Sequence, residues 1–216
     1  MGAFRTSGYD KVLMNLPVMT IELAEAVQKQ ISLAIETLAN KAITQDWEQC
    51  DDIIDQMRDN IINRCLYIMS LQQLRSQDLR WILGFQRIAQ ELERVADYAC
   101  DITELSDLKA DRNWFEDVLQ MAEHLLEMME YTVNVLKGEK EYTEDLADQD
   151  DLLDEAYHRL KTALAKGNLT KSDEGQLGIS ILVARTLERM GDHIVNVAET
   201  LFYIKTGKKR LDAEIS

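Results

Sequence analysis

The chain writes one acidic phrase twice. ELERVADYACDITE occupies residues 91–104 and TLERMGDHIVNVAE residues 186–199. Residues 92–104 align with 187–199 at an offset of 95, with Leu, Glu, Arg, Asp and Glu identical in register. Further back, DDIID at 51–55 aligns with DDLLD at 150–154 at an offset of 99, so the second copy is about one helical turn shorter between its two acidic motifs. A duplicated unit of roughly 100 residues accounts for both correspondences. The chain must therefore fold as one plan used twice, with a first repeat over 1–108 and a second over 109–216.

That plan is helical. Apolar residues recur three and four apart almost throughout, and a single proline and nine glycines leave little punctuation for the turns of an all-β fold. Six helices are expected, over about 18–44, 46–71, 77–106, 113–137, 143–166 and 170–206. An extra N-terminal piece carrying Phe4, Tyr9, Leu13 and Leu16 is also open, and Pro17 either kinks the first helix or sits in its first turn. Lys137-Gly138 and Lys166-Gly167-Asn168 read as helix ends, and Thr170–Asp173 as a helix start. Short connections make successive helices antiparallel neighbours. The fold class is all-α, two tandem three-helix bundles.

Composition closes off several functions. A net charge of −15, from 39 acidic and 24 basic residues, argues against nonspecific binding to nucleic acid or to an anionic membrane surface. No apolar run approaches a membrane span and the N-terminus lacks a signal core, so no membrane insertion is expected. Cys50, Cys65 and Cys100 are odd in number and follow no CxxC spacing; they read as reduced core residues of a cytoplasmic protein. P-loop, GxGxxG, HExxH and GxSxG motifs are absent from the sequence.

What remains is the acid itself. Residues four apart share a helix face, so Asp51 with Asp55, and Glu93 with Asp97 and Asp101, form two stripes in the first half. Asp150 with Asp154, and Glu188 with Asp192 and Asn196, repeat them in the second. Like charges at this spacing cost a few tenths of a kcal/mol each, and facing stripes on helices about 8–10 Å apart would add to that. A multivalent cation between them reverses the sign. Oxygen donors suit magnesium, manganese or calcium, and carboxylate bridging also suits iron and tolerates zinc. Arg94 and Arg189 sit about 100° off the stripes and are poor candidates to neutralise them. His158 and His193 are possible additions to the ligand set. Glu155-Ala-Tyr-His158 fits one limb of a ferritin-like di-iron motif but has no counterpart in the other half. A metal-dependent oxidase or hydrolase, and a metal-free helical scaffold with solvated stripes, both stay open.

DLRWILGFQRIAQELERVADYACDI and LVARTLERMGDHIVNVAETLFYIKTGKKR resemble the twin signatures of the PhoU family of bacterial phosphate-uptake regulators, in which an LER-(apolar)-GD helix follows a helix carrying D-x-x-x-D. Ala96 stands where that pattern has glycine, whereas Gly191 keeps it; Asp101 stands where asparagine is usual, and Leu74 where proline is common. The resemblance implies a non-enzymatic, cytoplasmic adaptor, often a homodimer, between the ATPase subunit of the phosphate ABC transporter and a phosphate sensor histidine kinase. It also implies metal clusters on the repeated acidic motifs. Carried over by position, the ligands are Asp51, Asp55, Glu93, Asp97 and Asp101 in one half, and Asp150, Asp154, Glu188, Asp192 and Asn196 in the other.

Overall fold

Long amphipathic segments with few breakers fold here as long helices. The computed structural model describes residues 7–39, 47–71, 74–108, 114, 116–142, 145–166 and 173–208. They form α1 (Ser7–Ala39), α2 (Trp47–Leu71), α3 (Ser76–Leu108), α4 (Glu116–Lys137), α5 (Asp145–Ala165) and α6 (Asp173–Thr206). Five of the six expected segments agree with these to within a few residues. The first begins earlier: α1 starts at Ser7 and runs through Pro17, the added N-terminal piece left open by the sequence, and its expected end at 40–44 lies outside the described residues. Proline removes only one amide donor, and Leu13 and Leu16 before it are buried in the core, which holds this turn in place. The α4 stop is as expected, with Gly138 at φ 76°, a conformation glycine adopts without a steric penalty. Residues 167–172 lie outside the described ones, and so do 109–113, where the expected boundary between the repeats falls.

Each repeat is a three-helix unit: α1 and α2 pack on α3, and α4 and α5 pack on α6. The units are not independent. Their widest contact joins α3 to α6 across the repeat boundary, and α1 also meets α4. One apolar cluster runs through all six helices, with Leu16, Ile61, Ile88, Leu125, Leu153 and Leu187 essentially without solvent contact. Each such side chain stabilises the fold by about 1.5–3 kcal/mol. Polar groups pin the helices at chosen points. Trp114 Nε1 donates to the Leu38 carbonyl near the end of α1 at 2.8 Å, and Gln30 Nε2 reaches the Ala96 carbonyl of α3 at 3.3 Å. Of the three free cysteines only Cys65 is buried; Cys50 and Cys100 are half-buried, so the expectation of three core thiols holds for one.

Small residues set how closely α3 and α6 approach. A Cβ on Gly84 would stand 2.3 Å from Ile204 Cγ1, whereas one on Gly178 would meet nothing within 4 Å. Alanine is the better helix former by about 1 kcal/mol. Gly178→Ala should therefore raise the free energy of unfolding in urea by about 0.5–1 kcal/mol, while Gly84→Ala should lower it. Stabilisation by both would show that the α3–α6 contact is looser than described.

Candidate metal centre

The helical phase of α2 and α3 turns their acidic stripes toward one another. Asp97 is pushed up to about 6, first by burial and then by the charges of Glu93, Asp51 and Asp55, with Arg94 partly offsetting them. Asp51 is raised by burial, then by Asp55 and Asp52, against the pull of Arg58. Two helices thus hold four carboxylates within Coulomb range of each other. A fifth polar group, the half-buried Cys100 thiol, shares an open groove with Asp51, Asp97 and Asp101, and burial and these charges push it up to about 11.

Basic side chains enter this cluster. Arg58, on the same face of α2 as Asp55, puts Nη1 2.9 Å from Asp55 Oδ1 and pairs with Glu93 of α3. Arg94 comes back onto its own stripe, with Nη1 3.6 Å from Asp97 Oδ2 and Nε 3.8 Å from Glu93 Oε2. The expectation that Arg94 would stay clear is corrected: a long side chain spans the 100° that separates it from the stripe.

The second half repeats the geometry without the ion pairs. Asp150 on α5 is pushed up to about 7 by burial, then by Asp192, Asp154, Asp151 and Glu188, with no basic side chain offsetting them. Asp154 is raised by burial and by Asp192 and Asp151. Glu188 is raised by burial, Asp192 and Asp154, against Arg185 and Arg189. Among the described residues no ion pair reaches Asp150, Asp154, Glu188 or Asp192. Arg185 instead donates to the Tyr157 hydroxyl at 3.4 Å, and Arg189 to the Tyr98 hydroxyl at 2.7 Å. Glu188 Oε2 is left buried without a hydrogen-bond partner. Gly191 makes the close approach possible, since a Cβ there would stand 2.8 Å from Asp150 Oδ1 and 2.5 Å from Leu153 Cδ1.

Two positions at the ends of the stripes stand apart. Asp101 is exposed, and after burial the charge that raises it is Glu104, not the cluster. Asn196 is turned to α3, its Nδ2 3.4 Å from Glu91 Oε2. The same oxygen lies 2.6 Å from His193 Nδ1. Hydrogen bonding to His193 and the charges of His193 and Arg87 outweigh the burial that would raise Glu91, and hold it below the usual carboxylate range. Sequence reading missed this Glu91–His193–Asn196 set, which ties the two halves together, and it missed Arg58. Glu155 and His158 are exposed on α5, so neither turns into the bundle as a di-iron ligand would.

The donor chemistry of the second cluster fits a hard cation: oxygen donors, crowded negative charge, one orphaned carboxylate oxygen and, among the described residues, no ion pair. Among the described residues, no three carboxylate, imidazole or thiol groups converge tightly enough to enclose an ion. The crowded carboxylates still act on one another through their charges. Their cost to the fold has a definite sign. A carboxyl whose folded pKa lies above its unfolded value, near 3.9, keeps its proton where the unfolded chain has lost it. Its contribution to stability is greatest below pH 4 and declines as pH rises through 7. In chelator-treated protein, the stability gained by Asp150→Asn should thus be larger at pH 7.5 than at pH 4.5 in urea unfolding. A gain independent of pH would show that Asp150 is not held protonated by its neighbours.

Known proteins share this architecture. A family model described as the PhoU domain matches twice, at residues 20–106 and 118–201, one match on each repeat. The chain is 32% identical over 161 residues to the phosphate-specific transport system accessory protein PhoU homolog of Synechocystis sp., covering 72% of this chain and 71% of that one. It is 27% identical over 190 residues to PhoU homolog 1 of Thermotoga maritima, covering 84% and 82%. Its fold matches the crystal structure of PhoU from Pseudomonas aeruginosa with a TM-score of 0.82 at 23% identity, over 93% of this chain and 100% of that one. With two family-model matches covering most of its length, and a relative above 30% identity, the chain belongs to the PhoU domain family.

Proposed function

We propose that this protein is a non-enzymatic accessory regulator of a phosphate transport system that binds a hard cation on the α5–α6 carboxylates of its second half. The transport role is supported by its relatives, named as phosphate-specific transport system accessory proteins. The cation role is carried by one observation: the crowded carboxylates of Asp150, Asp154, Glu188 and Asp192 raise one another's affinity for protons, and among the described residues none of them is joined by an ion pair. Magnesium, manganese, iron and zinc are the candidate ions for such an oxygen-rich set. Bound there, a cation would neutralise charge and hold α5 to α6, and the residues named would be its ligands.

A chain of net charge −15 repels free phosphate, so recognition of phosphate status passes through a bound metal or a partner. The partners in this reading are the transporter's ATPase subunit and a phosphate sensor histidine kinase, met on the cytoplasmic side. None of the described helices is long and apolar enough to cross a membrane, which accords with an adaptor that meets its transporter from outside the bilayer. Homodimerisation belongs to the same reading, supported by exposed Leu66, Leu71, Leu79 and Leu83 on α2 and α3.

Elemental analysis of protein purified without chelator should find divalent metal. Asp150→Asn with Glu188→Gln should weaken its affinity by about 10-fold or more, and immobilised protein should retain the ATPase subunit. Metal-free protein of unchanged stability on metal addition would remove the cation role. Failure to retain the ATPase subunit, with and without metal, would remove the adaptor role.

A further inference from the structure

The two acidic clusters are built from matching residues but are not electrically alike. Sliding α2 onto α5 at the offset that pairs Asp51 with Asp150 and Asp55 with Asp154 sets Arg58 against Tyr157. That exchange removes from the second cluster the cation that bridges the two helices of the first, and Arg189, the counterpart of Arg94, is turned to the Tyr98 hydroxyl. Arg58 spans the α2–α3 gap, held by Asp55 and Glu93, and its Nε and Nη2 donate to Asp59 Oδ1 at 3.1 and 3.0 Å. The Glu93 side chain is only 15% exposed and that of Arg58 21%, so this pairing is shielded from water more than a surface ion pair is. At the matching place in the second half, Tyr157 offers a neutral ring and hydroxyl. Lys161 Nζ and the Arg185 guanidinium lie over that ring at 5.7 and 5.9 Å, and Arg185 donates to the ring hydroxyl at 3.4 Å rather than forming an ion pair with the cluster.

We infer that Arg58 is a tethered stand-in for a metal ion, which closes the first acidic cluster to divalent cations and leaves the second as the cation-binding one. The inference rests on reading paired carboxylate stripes as cation sites. A guanidinium brings one permanent positive charge and donors in a rigid fork suited to carboxylates. It is present at unit stoichiometry whatever the ion supply. A divalent ion entering beside Asp51 and Asp97 would meet Arg58 and Arg94 as like charges, and would have to displace both from their carboxylates. In the second cluster Arg185 and Arg189 lie near Glu188, but among the described residues no ion pair has to be broken. Its occupancy follows the concentration of free cation, so one half of the molecule is fixed and the other is responsive.

Reciprocal substitutions test this on the full chain, with manganese(II) as the probe and the fall of its free-ion EPR signal as the readout. Arg58→Tyr copies the second half into the first, and should raise saturable manganese uptake about twofold, by the logic of the repeat. The added uptake should vanish with Asp97→Asn and survive Asp150→Asn with Glu188→Gln. Tyr157→Arg should lower uptake by the second cluster by about 10-fold. Should Arg58→Tyr unfold the chain, Arg58→Gln keeps a polar side chain of similar reach, and circular dichroism verifies its fold. The inference is overturned if Asp97→Asn already removes manganese from the unaltered protein, or if neither Arg58 variant adds uptake. Uptake by the Arg58 variants alone, with none by the unaltered chain, would support Arg58 as the blocking cation while removing the second-half site from the proposed function.

Discussion

Apolar packing in this protein forces negative charges together. The faces of α2 and α5 that bury Ile54 and Leu153 lie next to the faces that carry Asp51, Asp55, Asp150 and Asp154. Docking those helices on α3 and α6 therefore brings the carboxylates along. Burying a few large aliphatic side chains per helix contributes several kcal/mol, whereas each like-charge neighbour costs a fraction of that at a partly wet surface. The core wins and the repulsion remains, stored where two helices meet. A bound cation, or a tethered one, is the physical means of relieving it.

Duplication supplied that arrangement twice, and divergence treated the copies differently. Gly191 lets Asp150 come onto the backbone of α6, whereas its counterpart Ala96 is buried and fills the same space on α3. Arg58 fills the first cluster with charge and Tyr157 leaves the second without it. The halves still act on one another, because α3 and α6 form the widest helix contact in the molecule and Glu91, His193 and Asn196 hydrogen-bond across it. A change in how α5 sits on α6 would be felt at α3 through that contact.

Much of this was legible in the sequence, and the failures have physical causes. Helical periodicity located α2 to α6 because each buries one regular face, and spacing alone put Asp51 with Asp55 and Glu93 with Asp97. The facing of those stripes followed because both lie beside core positions. Periodicity does not report how far a long side chain reaches, so Arg58 escaped notice and Arg94 was set aside as too far round the helix, although each stands near an acidic residue. Nor does it give the rotation of α3 against α6, which depends on small residues such as Gly84, so Asn196 was grouped with its own stripe when it faces Glu91. Pro17 stayed undecided for a related reason: a local breaker is overridden when the residues before it are anchored in the core, as Leu13 and Leu16 are. The matched comparison of Arg58 with Tyr157 was the sequence signal that could have revealed the asymmetry.

The central claim is that one cluster needs an external cation and the other carries its own. Anomalous diffraction at the manganese edge, from crystals of the unaltered chain equilibrated with manganese, tests it most directly. A peak is expected among Asp150, Asp154, Glu188 and Asp192, and none between Asp51 and Asp97, where Arg58 remains on Asp55 and Glu93. A peak in the first cluster, or no peak in the second, would contradict it.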